Sequence, residues 1–327
     1  MQRSVVLPGL FAVLLAACSA GEPGEIVRTP DERFENLPGF PYEPRYLEIQ
    51  GLRIHYVDEG PRDALPVLLL HGEPTWSYLY RKMIPGITAA GYRAVAPDLV
   101  GFGRSDKLVR REDYSYQLQV DVMAELVRRL DLRRATLFGQ DWGGLVGLRV
   151  VAGMPERFAA VVAANTGLPA PEAGARPPLP FRLWRFFSRW SPVFPVGRIV
   201  QAGSETDLPA EVRAAYDAPF PTRRHQAGAR AMPSLVPITP DDPAVPANRR
   251  AWEVLRRFEK PFLTAFSDGD PITRGLEGAF QSEIPGARGQ PHVTIRNAGH
   301  FLQEDKGEEL AALLVDLLRR LETDVIR

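Results

Sequence analysis

The sequence predicts an α/β fold, in which a mostly parallel, doubly wound sheet carries an inserted helical cap. Short apolar runs of strand length alternate with stretches of helical spacing on both sides of residues 167–248, which is typical of a parallel sheet covered by helices. Residues 167–248 themselves hold 15 of the 31 prolines and many large apolar side chains, which flexible linkers lack. Ahead of them, Gly139-Gln140-Asp141-Trp142-Gly143 joins an apolar run to an apolar helix, so a carboxylate stands at a sharp strand-to-helix turn.

The first thirty residues are expected to lie outside this fold. Arg3 precedes a mostly apolar run, residues 5–15, which has the length of a signal-peptide core and is too short to span a membrane comfortably. The run ends in Leu15-Ala16-Ala17-Cys18, which resembles the lipobox of bacterial lipoproteins. We expect residues 1–17 to be a lipoprotein-type signal peptide, Cys18 to be the lipid attachment site and residues 18–30 to be a tether. An ordinary secretory peptide with an incidental cysteine is the alternative.

Composition limits the partners of the chain. Its 327 residues are 45% hydrophobic and 24% charged, which is enough for a sizeable core and excludes overall disorder. The 40 basic and 40 acidic residues give a net charge of zero, so neither nucleic acid nor an anionic surface is an expected partner. We expect a monomer anchored at the bacterial cell envelope, facing the periplasm where there are two membranes. A cytoplasmic location is the alternative.

The elements ahead of Asp141 follow from periodicity and from turn residues. Two alternating segments flank Gly51 and predict an antiparallel hairpin at a sheet edge, in which His55 is expected to be half-exposed. Asp98 also follows a predicted strand, but no helix begins directly after it. We therefore interpret it as a carboxylate that braces a loop. In order, the predicted elements are strands 46–49, 52–57 and 66–70, a helix 76–90 capped by Thr75, strand 93–97, helix 116–130 and strand 135–138.

Asp141 is the residue expected to carry the chemistry. Only glycine tolerates the crowding on either side of such a turn, and glycines stand at positions 139 and 143. A carboxylate with a reference pKa near ~3.9 is ionised at neutral pH, so it can attack a carbon without a base to activate it. Its natural target is an sp3 carbon that bears a leaving group. The alternative is an aspartate that only caps the following helix, which is a common use of this residue.

The sheet is predicted to resume after the cap. Apolar runs at 261–266 and 292–295 are interpreted as its last strands, and an amphipathic helix over 307–322 closes it. The core domain is therefore expected to comprise residues 31–166 and 249–327, with a cap of short helices over 167–248.

Three chemical groups follow predicted strands in the order nucleophile, acid and histidine, namely Asp141, Asp270 and His300. This is the order of the triad in α/β-hydrolases, whose fold the chain resembles. Asp268 is an alternative acid, although Asp270 opens the Asp-Pro-Ile turn usual at this site. His71 is expected to brace the neighbouring loop. The same resemblance implies an oxyanion hole made by the backbone N–H groups of Glu73 and Trp142.

From about Arg28 onward the sequence resembles the haloalkane dehalogenases. The resemblance is to the subgroup with two halide-binding tryptophans and the acid after the seventh strand. In the other main subgroups an Asn follows the His-Gly pair and the acid follows the sixth strand. Here Glu73 follows His71-Gly72, and the sixth predicted strand, residues 158–164, is followed by Asn165, which cannot act as an acid. The resemblance rests on six motifs: Arg28-Thr29-Pro30-Asp31, His71-Gly72-Glu73-Pro74-Thr75-Trp76, Gly139-Gln140-Asp141-Trp142-Gly143-Gly144, Phe181-Arg182-Leu183-Trp184, Ala218-Pro219-Phe220-Pro221 and Asn297-Ala298-Gly299-His300-Phe301.

The resemblance implies a hydrolysis in two steps. Asp141 would displace halide from a haloalkane while the indoles of Trp142 and Trp184 bind the departing anion, with Trp190 as the alternative cap donor. His300, oriented by Asp270, would then activate water against the alkyl ester. The products would be an alcohol and a halide, and no metal or organic cofactor is implied.

Two other functions are compatible with parts of this pattern. An epoxide hydrolase shares the fold, the nucleophilic aspartate and the histidine, but its cap normally offers tyrosine hydroxyls, and the cap here has only Tyr216. A surface lipoprotein that keeps the fold as a binding module is a second alternative. Such a module would have no reason to keep nucleophile, acid, base and halide donors together.

Overall fold

Eight strands form one sheet, and in spatial order they are β10 (Val293–Ile295), β9 (Phe262–Ser267), β8 (Phe158–Ala164), β7 (Ala135–Gln140), β4 (Pro66–Leu70), β5 (Arg93–Pro97), β3 (Leu52–Glu59) and β2 (Arg45–Ile49). The computed structural model describes residues 24–173 and 177–326, so Cys18 and the predicted signal peptide lie outside the described residues. The six strands from β10 to β5 are mutually parallel, whereas β3 and β2 are added antiparallel at one edge. The predicted mostly parallel sheet with an edge hairpin is confirmed.

The strands of this sheet agree closely with the apolar runs of the sequence. They are β2 Arg45–Ile49, β3 Leu52–Glu59, β4 Pro66–Leu70, β5 Arg93–Pro97, β7 Ala135–Gln140, β8 Phe158–Ala164, β9 Phe262–Ser267 and β10 Val293–Ile295. A separate two-stranded sheet pairs β1 Ile26–Val27 with β6 Lys107–Leu108. Every residue of β4 and β7 is buried, because strands in the middle of a parallel sheet are covered on both faces.

Helices occupy the connections between the strands. Among the described residues they are α1 Ile84–Ala89, α2 Tyr116–Arg129, α3 Trp142–Gly153, α4 Leu179–Trp190, α5 Val196–Ala202, α6 Ala210–Asp217, α7 Ala227–Leu235, α8 Val245–Leu255, α9 Glu277–Glu283 and α10 Leu302–Ile326. In that part of the chain, no helix combines the length and the apolar composition needed to cross a bilayer.

Helices α4 to α8 stand between β8 and β9, where the sequence predicts the cap. The expected end of the cap at residue 248 falls within α8, which is bound to the start of the same segment. Asn248 Nδ2 donates to the carbonyl oxygen of Pro169 at 2.8 Å, and the Trp252 indole donates to that of Leu168 at 2.8 Å. These contacts hold the two ends of the segment together above β8 and β9.

The helix predicted over residues 76–90 is wrong. A 3-10 helix, Ser77–Tyr80, is followed by α1 only after a break, and Trp76 is extended at φ −153°. Pro85 lies in the first turn of α1, where its missing N–H costs nothing, whereas it would interrupt a continuous helix. Thr75 does not cap either piece; its hydroxyl donates to the carbonyl oxygen of Gly72 at 2.8 Å.

One further expectation, for His55, is corrected by a tertiary contact. His55 is buried rather than half-exposed, because its Nδ1 lies 2.7 Å from the carboxylate of Asp98. Asp98 also accepts the backbone N–H groups of Ser77 and Arg104, so it braces loops as predicted.

The expected tether, residues 18–30, is too long at its C-terminal end. Ile26 and Val27 pair with β6, and Arg28 reaches Asp106 with 2.6 Å between Nε and Oδ1. Thr29 is buried and donates its hydroxyl to the carbonyl oxygen of Pro219 at 2.6 Å. The chain is therefore fixed to the domain from Ile26 onward.

The last helix begins earlier than the predicted residue 307. Leu302 opens α10, but Lys306 has non-helical angles, φ −139° and ψ 37°, so a short first turn is set off by a kink. The predicted helix corresponds to the part that follows this kink.

Candidate active site

Asp141 stands at a strained turn between β7 and α3. Its φ of 51° and ψ of −122° are unusual for a residue with a side chain. The turn can pack against the end of β4 because residue 143 is a glycine. A Cβ at this position would lie 1.8 Å from the carbonyl oxygen of Leu70. Backbone bonds fix it further, since Asp141 N–H donates to the carbonyl oxygen of Asn165 at 3.0 Å.

The Asp141 carboxylate has a different neighbour at each oxygen. Its Oδ1 accepts the backbone N–H of Glu73 at 2.8 Å, from the loop that follows β4. Its Oδ2 lies 3.5 Å from Nε2 of His300. The loops after β4, β7 and β10 meet here because the carboxyl ends of parallel strands share one edge of the sheet.

His300 connects this carboxylate to a second one. Its Nδ1 lies 3.0 Å from Oδ2 of Asp270, whose side chain is fully buried. Asp270 also accepts the N–H of Ile272 at 2.8 Å and a hydroxyl hydrogen bond from Thr273. Asp268, the alternative acid, is exposed and makes no such contact with His300 among the described residues. Of the two candidate acids, Asp270 is therefore the one that contacts His300.

Charge in this site is shared among three groups. Burial lowers the pKa of His300, but Asp270 and Asp141 more than offset it and together raise that pKa to about 10. Burial disfavours the charged form of Asp270, but His300 and the hydrogen bonds from Thr273 and Ile272 hold its pKa well below the usual range. The resting site is thus an imidazolium between two carboxylates.

The loop that carries His300 is held from below by two amides. Asn165 Nδ2 donates to the carbonyl oxygens of Gly299 and His300, each at 3.1 Å, and Gln140 Nε2 donates to that of His300 at 3.1 Å. Asn165 follows the sixth strand of the main sheet, where the sequence excluded an acid. Its supporting contact with the histidine loop is visible only in three dimensions.

A cavity of about 400 Å³ opens above these groups. We call it the Asp141 cavity. Its size suits a small ligand, and its walls are mainly apolar. Its described lining includes Asp141, His300, Glu73, Trp142 and Trp184, with Phe181, Ile199, Pro233, Val236, Pro271, Ile272 and Phe301 among the others.

The two candidate tryptophans of the cap differ in position. Trp184 lies on the face of α4 that lines the Asp141 cavity, whereas Trp190 is 62% exposed on the outside of the same helix. Trp142 is buried beside the nucleophile and packs edge-on against Tyr116, with ring centroids 5.0 Å apart. The structure therefore brings Trp142 and Trp184 to the cavity and leaves Trp190 away from it.

From the sequence, a role is predicted for the backbone N–H of Glu73 but none for its side chain. Its carboxyl is buried in the wall of the cavity. Burial raises its pKa well above the usual range, and the charge of Asp141 raises it further. A glutamate directly after His71-Gly72 was the available signal.

The other histidine near the site has a supporting role. His71 is fully buried; its Nδ1 lies 2.9 Å from the carbonyl oxygen of Gly72, and its Nε2 accepts the N–H of Leu99 at 3.0 Å. It braces the loop before Glu73, as the sequence predicts. Within residues 24–173 and 177–326, no group of three or more His, Cys, Asp or Glu side chains is arranged to hold a metal ion.

Comparison with known proteins identifies the family. The family model of the α/β-hydrolase fold matches residues 66–307. Haloalkane dehalogenase 1 of Mycobacterium bovis is 57% identical over 292 residues, which cover 88% of this chain and 96% of that protein. A haloalkane dehalogenase of Psychrobacter cryohalolentis is 54% identical over 299 residues, covering 90% and 98%.

A solved structure agrees in both fold and sequence. The tetrameric haloalkane dehalogenase DpaA from Paraglaciecola agarilytica NO2 superimposes with a TM-score of 0.82 at 36% identity, over 88% of this chain and 97% of that chain. The sequence resemblance and the predicted fold are confirmed by these matches. The chain therefore belongs to the haloalkane dehalogenases, within the α/β-hydrolase fold.

Proposed function

We propose that this protein hydrolyses the carbon–halogen bond of haloalkanes to an alcohol and a halide through a covalent ester on Asp141. One observation carries the proposal: the Asp141 carboxylate has one oxygen on the Glu73 N–H and the other facing His300, at the floor of an apolar cavity. A nucleophile, an oxyanion donor and a base thus converge on one point.

The first step is a displacement at carbon. An oxygen of Asp141 attacks the carbon that bears the halogen, the carbon–oxygen bond forms, and the halide leaves with the electron pair of the broken bond. The indole N–H groups of Trp142 and Trp184 receive it. These two tryptophans line the cavity, whereas the indoles of Trp76 and Trp252 already donate to backbone carbonyl oxygens.

The second step releases the alcohol. Alkylation removes the charge of Asp141, which is one cause of the raised pKa of His300, so His300 gives up its proton more readily in the ester. Neutral His300 then takes a proton from water, and the hydroxide attacks the ester carbonyl. The oxyanion faces the N–H groups of Glu73 and Trp142 until the bond to the alkoxide breaks. The alkoxide takes the proton of the newly formed Asp141 carboxyl and leaves as the alcohol, which restores the carboxylate, and His300 keeps the proton that it took from water.

The geometry also weighs against an epoxide hydrolase. That chemistry needs an acid, usually a tyrosine hydroxyl, near the oxygen of the epoxide. Tyr216, the one tyrosine between residues 167 and 248, is fully buried with its hydroxyl on Glu304 and does not line the Asp141 cavity. We further propose that residues 167–248, extended through α8, act as the cap that closes over the substrate.

A trapped intermediate tests the mechanism. We expect His300→Gln to stop after alkylation, so mass spectrometry after a bromoalkane should show a protein heavier by one alkyl group, located on Asp141. Asp141→Asn should show no adduct and no turnover, because an amide lacks the attacking charge. Asp268→Asn changes the exposed alternative acid, and this variant should retain turnover, in contrast to Asp270→Asn. Full turnover by Asp141→Asn, or epoxide opening without halide release, would contradict the proposal.

We also propose that the mature chain begins at Cys18 and is anchored by acyl chains. Support comes from the sequence alone, in the apolar run that ends at Leu15-Ala16-Ala17-Cys18. Stable anchoring needs more than one chain, which a diacylglyceryl group with an added N-acyl chain provides. We expect the protein to enter the detergent phase in a phase-partitioning experiment and Cys18→Ser to leave it. If Cys18→Ser partitions like the original protein, the proposed lipid anchor is wrong, and this result would favour the cytoplasmic alternative.

A further inference from the structure

Exposed apolar side chains are concentrated on one cap helix. The described residues include seven large hydrophobic side chains that are exposed, and all but Leu276 lie in α4 or just after it. Four of them are 61%, 61%, 67% and 62% exposed, and they follow one another at intervals of four, three and four residues; they are Leu179, Leu183, Phe186 and Trp190. We call these four the outer stripe.

This spacing places the outer stripe along one face of the helix. The opposite face carries Phe181 and Trp184, which line the Asp141 cavity, and Ser188, which is fully buried. The twelve residues of α4 extend over roughly 18 Å at 1.5 Å per residue. One helix thus separates the reaction cavity from an apolar strip on the surface of the molecule.

Positive charge flanks this strip. Arg182, Arg185 and Arg189 fall on one side of α4, between the outer stripe and the buried face, and Arg189 lies over the Trp190 ring at 5.2 Å. Residues 173–204 contain five arginines and no acidic residue, although the whole chain is neutral. The net charge of zero therefore conceals a local basic segment.

We propose that the outer stripe of α4 docks on an anionic lipid bilayer. A convex apolar strip with aromatic residues and arginines beside it has the character of a helix that lies in a membrane interface. A second copy of the chain fits less well, because a symmetric pair would bring two acid-free, arginine-flanked helices together. The proposed lipid anchor at Cys18, which precedes the described residues, would provide a second attachment to the same membrane.

Docking in this way would place the Asp141 cavity close to the lipid surface. Haloalkanes are apolar and concentrate in hydrocarbon, so substrate would enter from the bilayer across α4. This consequence rests on the proposed function, whereas the docking itself does not.

A spin label on the helix tests the docking directly. Cys18 is the single cysteine, so Cys18→Ser with Phe186→Cys gives one labelling site in the full chain, and Cys18→Ser with Glu309→Cys gives a matched control on the exposed side of α10. We expect phosphatidylcholine vesicles containing phosphatidylglycerol to shield the label at 186 from a water-soluble nickel chelate and expose it to oxygen. The label at 309 should not change.

A second variant tests the charge. Arg182→Gln with Arg189→Gln should weaken binding to the anionic vesicles roughly thirtyfold, on the basis of what each arginine near such a surface contributes.

Equal binding to pure phosphatidylcholine would overturn the anionic preference. A label at 186 that stays open to the nickel chelate on vesicles would overturn the docking. Protection that appears without vesicles as protein concentration rises would assign the stripe to a second copy instead.

Activity separates this inference from the proposed function. Leu183→Ser with Phe186→Ser should lose vesicle docking and keep turnover of a short, water-soluble bromoalkane, because neither side chain lines the cavity. Absence of turnover in the unmodified protein would defeat the proposed function and leave the docking result standing.

Discussion

At the scale of residues, the site depends on how charge is divided among Asp141, His300 and Asp270. His300 must be positively charged or neutral at different stages, and the carboxylates on both sides set which form prevails. When Asp141 is esterified, one of the two stabilising charges disappears. In the proposed mechanism, alkylation of Asp141 therefore favours the neutral form of His300 that the second step needs.

This coupling predicts a measurable pKa change. Asp141→Asn imitates the neutral ester, so the pKa of His300 should fall below its raised value of about 10 in the unmodified protein. Asp270→Asn should lower it more, because Asp270 is the stronger of the two charged influences. NMR titration of labelled histidine measures both. An unchanged His300 titration in Asp141→Asn would disprove the coupling.

Hydrolysis of the alkyl ester in the protein that retains His300 should follow the same change. Because the base must be neutral, the rate of ester breakdown is expected to rise with pH and level off above the lowered pKa of His300. Rapid-quench measurement of alcohol release across pH gives this profile.

The tryptophans give a second prediction at this scale. Trp184→Phe removes an N–H that would bind the leaving halide, so halide affinity and dehalogenation should weaken by about 1.5 to 3 kcal/mol, as for a hydrogen bond to a charged group. Trp190→Phe on the outside of α4 is the control and should change neither. Tryptophan fluorescence quenching by bromide reports affinity. The opposite pattern would transfer the role to Trp190.

At the scale of elements, the turn between β7 and α3 determines where the nucleophile points. The turn works because α3 starts immediately against the end of β4, with Gly143 in contact with backbone. Asp141 keeps a positive φ that a free chain would avoid. The surrounding bonds from Asn165 and Thr166 hold that conformation.

Two glycines of α3 provide a matched test. Gly143→Ala would place a Cβ 1.8 Å from the carbonyl oxygen of Leu70, so we expect a loss of more than about 3 kcal/mol or failure to fold. Gly153→Ala, at the exposed end of the same helix with nothing within 4 Å, should gain up to about 1 kcal/mol from helix propensity. Denaturant unfolding compares them. Equal effects would show that the close packing at the turn is not required.

At the scale of the whole molecule, the cap is connected to the core by buried polar contacts. Glu304 of α10 accepts from Arg81, with 2.8 Å between Nη2 and Oε2, and from the hydroxyl of Tyr216 in α6. Asp305 accepts N–H groups of Gly299 and Thr206, so it joins the histidine loop to the cap. These contacts attach the cap to α10 and to the loop that carries His300. On the other side of the cap, the outer stripe of α4 is exposed on the molecular surface.

The sequence by itself determined the local features of this protein. Apolar runs of strand length, glycines around Asp141 and the order Asp141, Asp270, His300 are all encoded within a few residues of each position. Buried parallel strands and a turn that only glycine permits leave few alternatives, which is why the main sheet was predictable.

Only the tertiary structure decided what depends on distant neighbours. Asp270 contacts His300 whereas Asp268 is exposed, and Trp184 lines the cavity whereas Trp190 does not. Candidates two or six residues apart differ little in a sequence, so only the folded chain separates them. The burial of His55 and the break ahead of Pro85 have the same origin, because Asp98 lies 43 positions from His55 and helix ends respond to packing. Periodicity describes a chain locally, whereas a pKa, a cavity wall or an exposed stripe is a property of groups that meet only after folding.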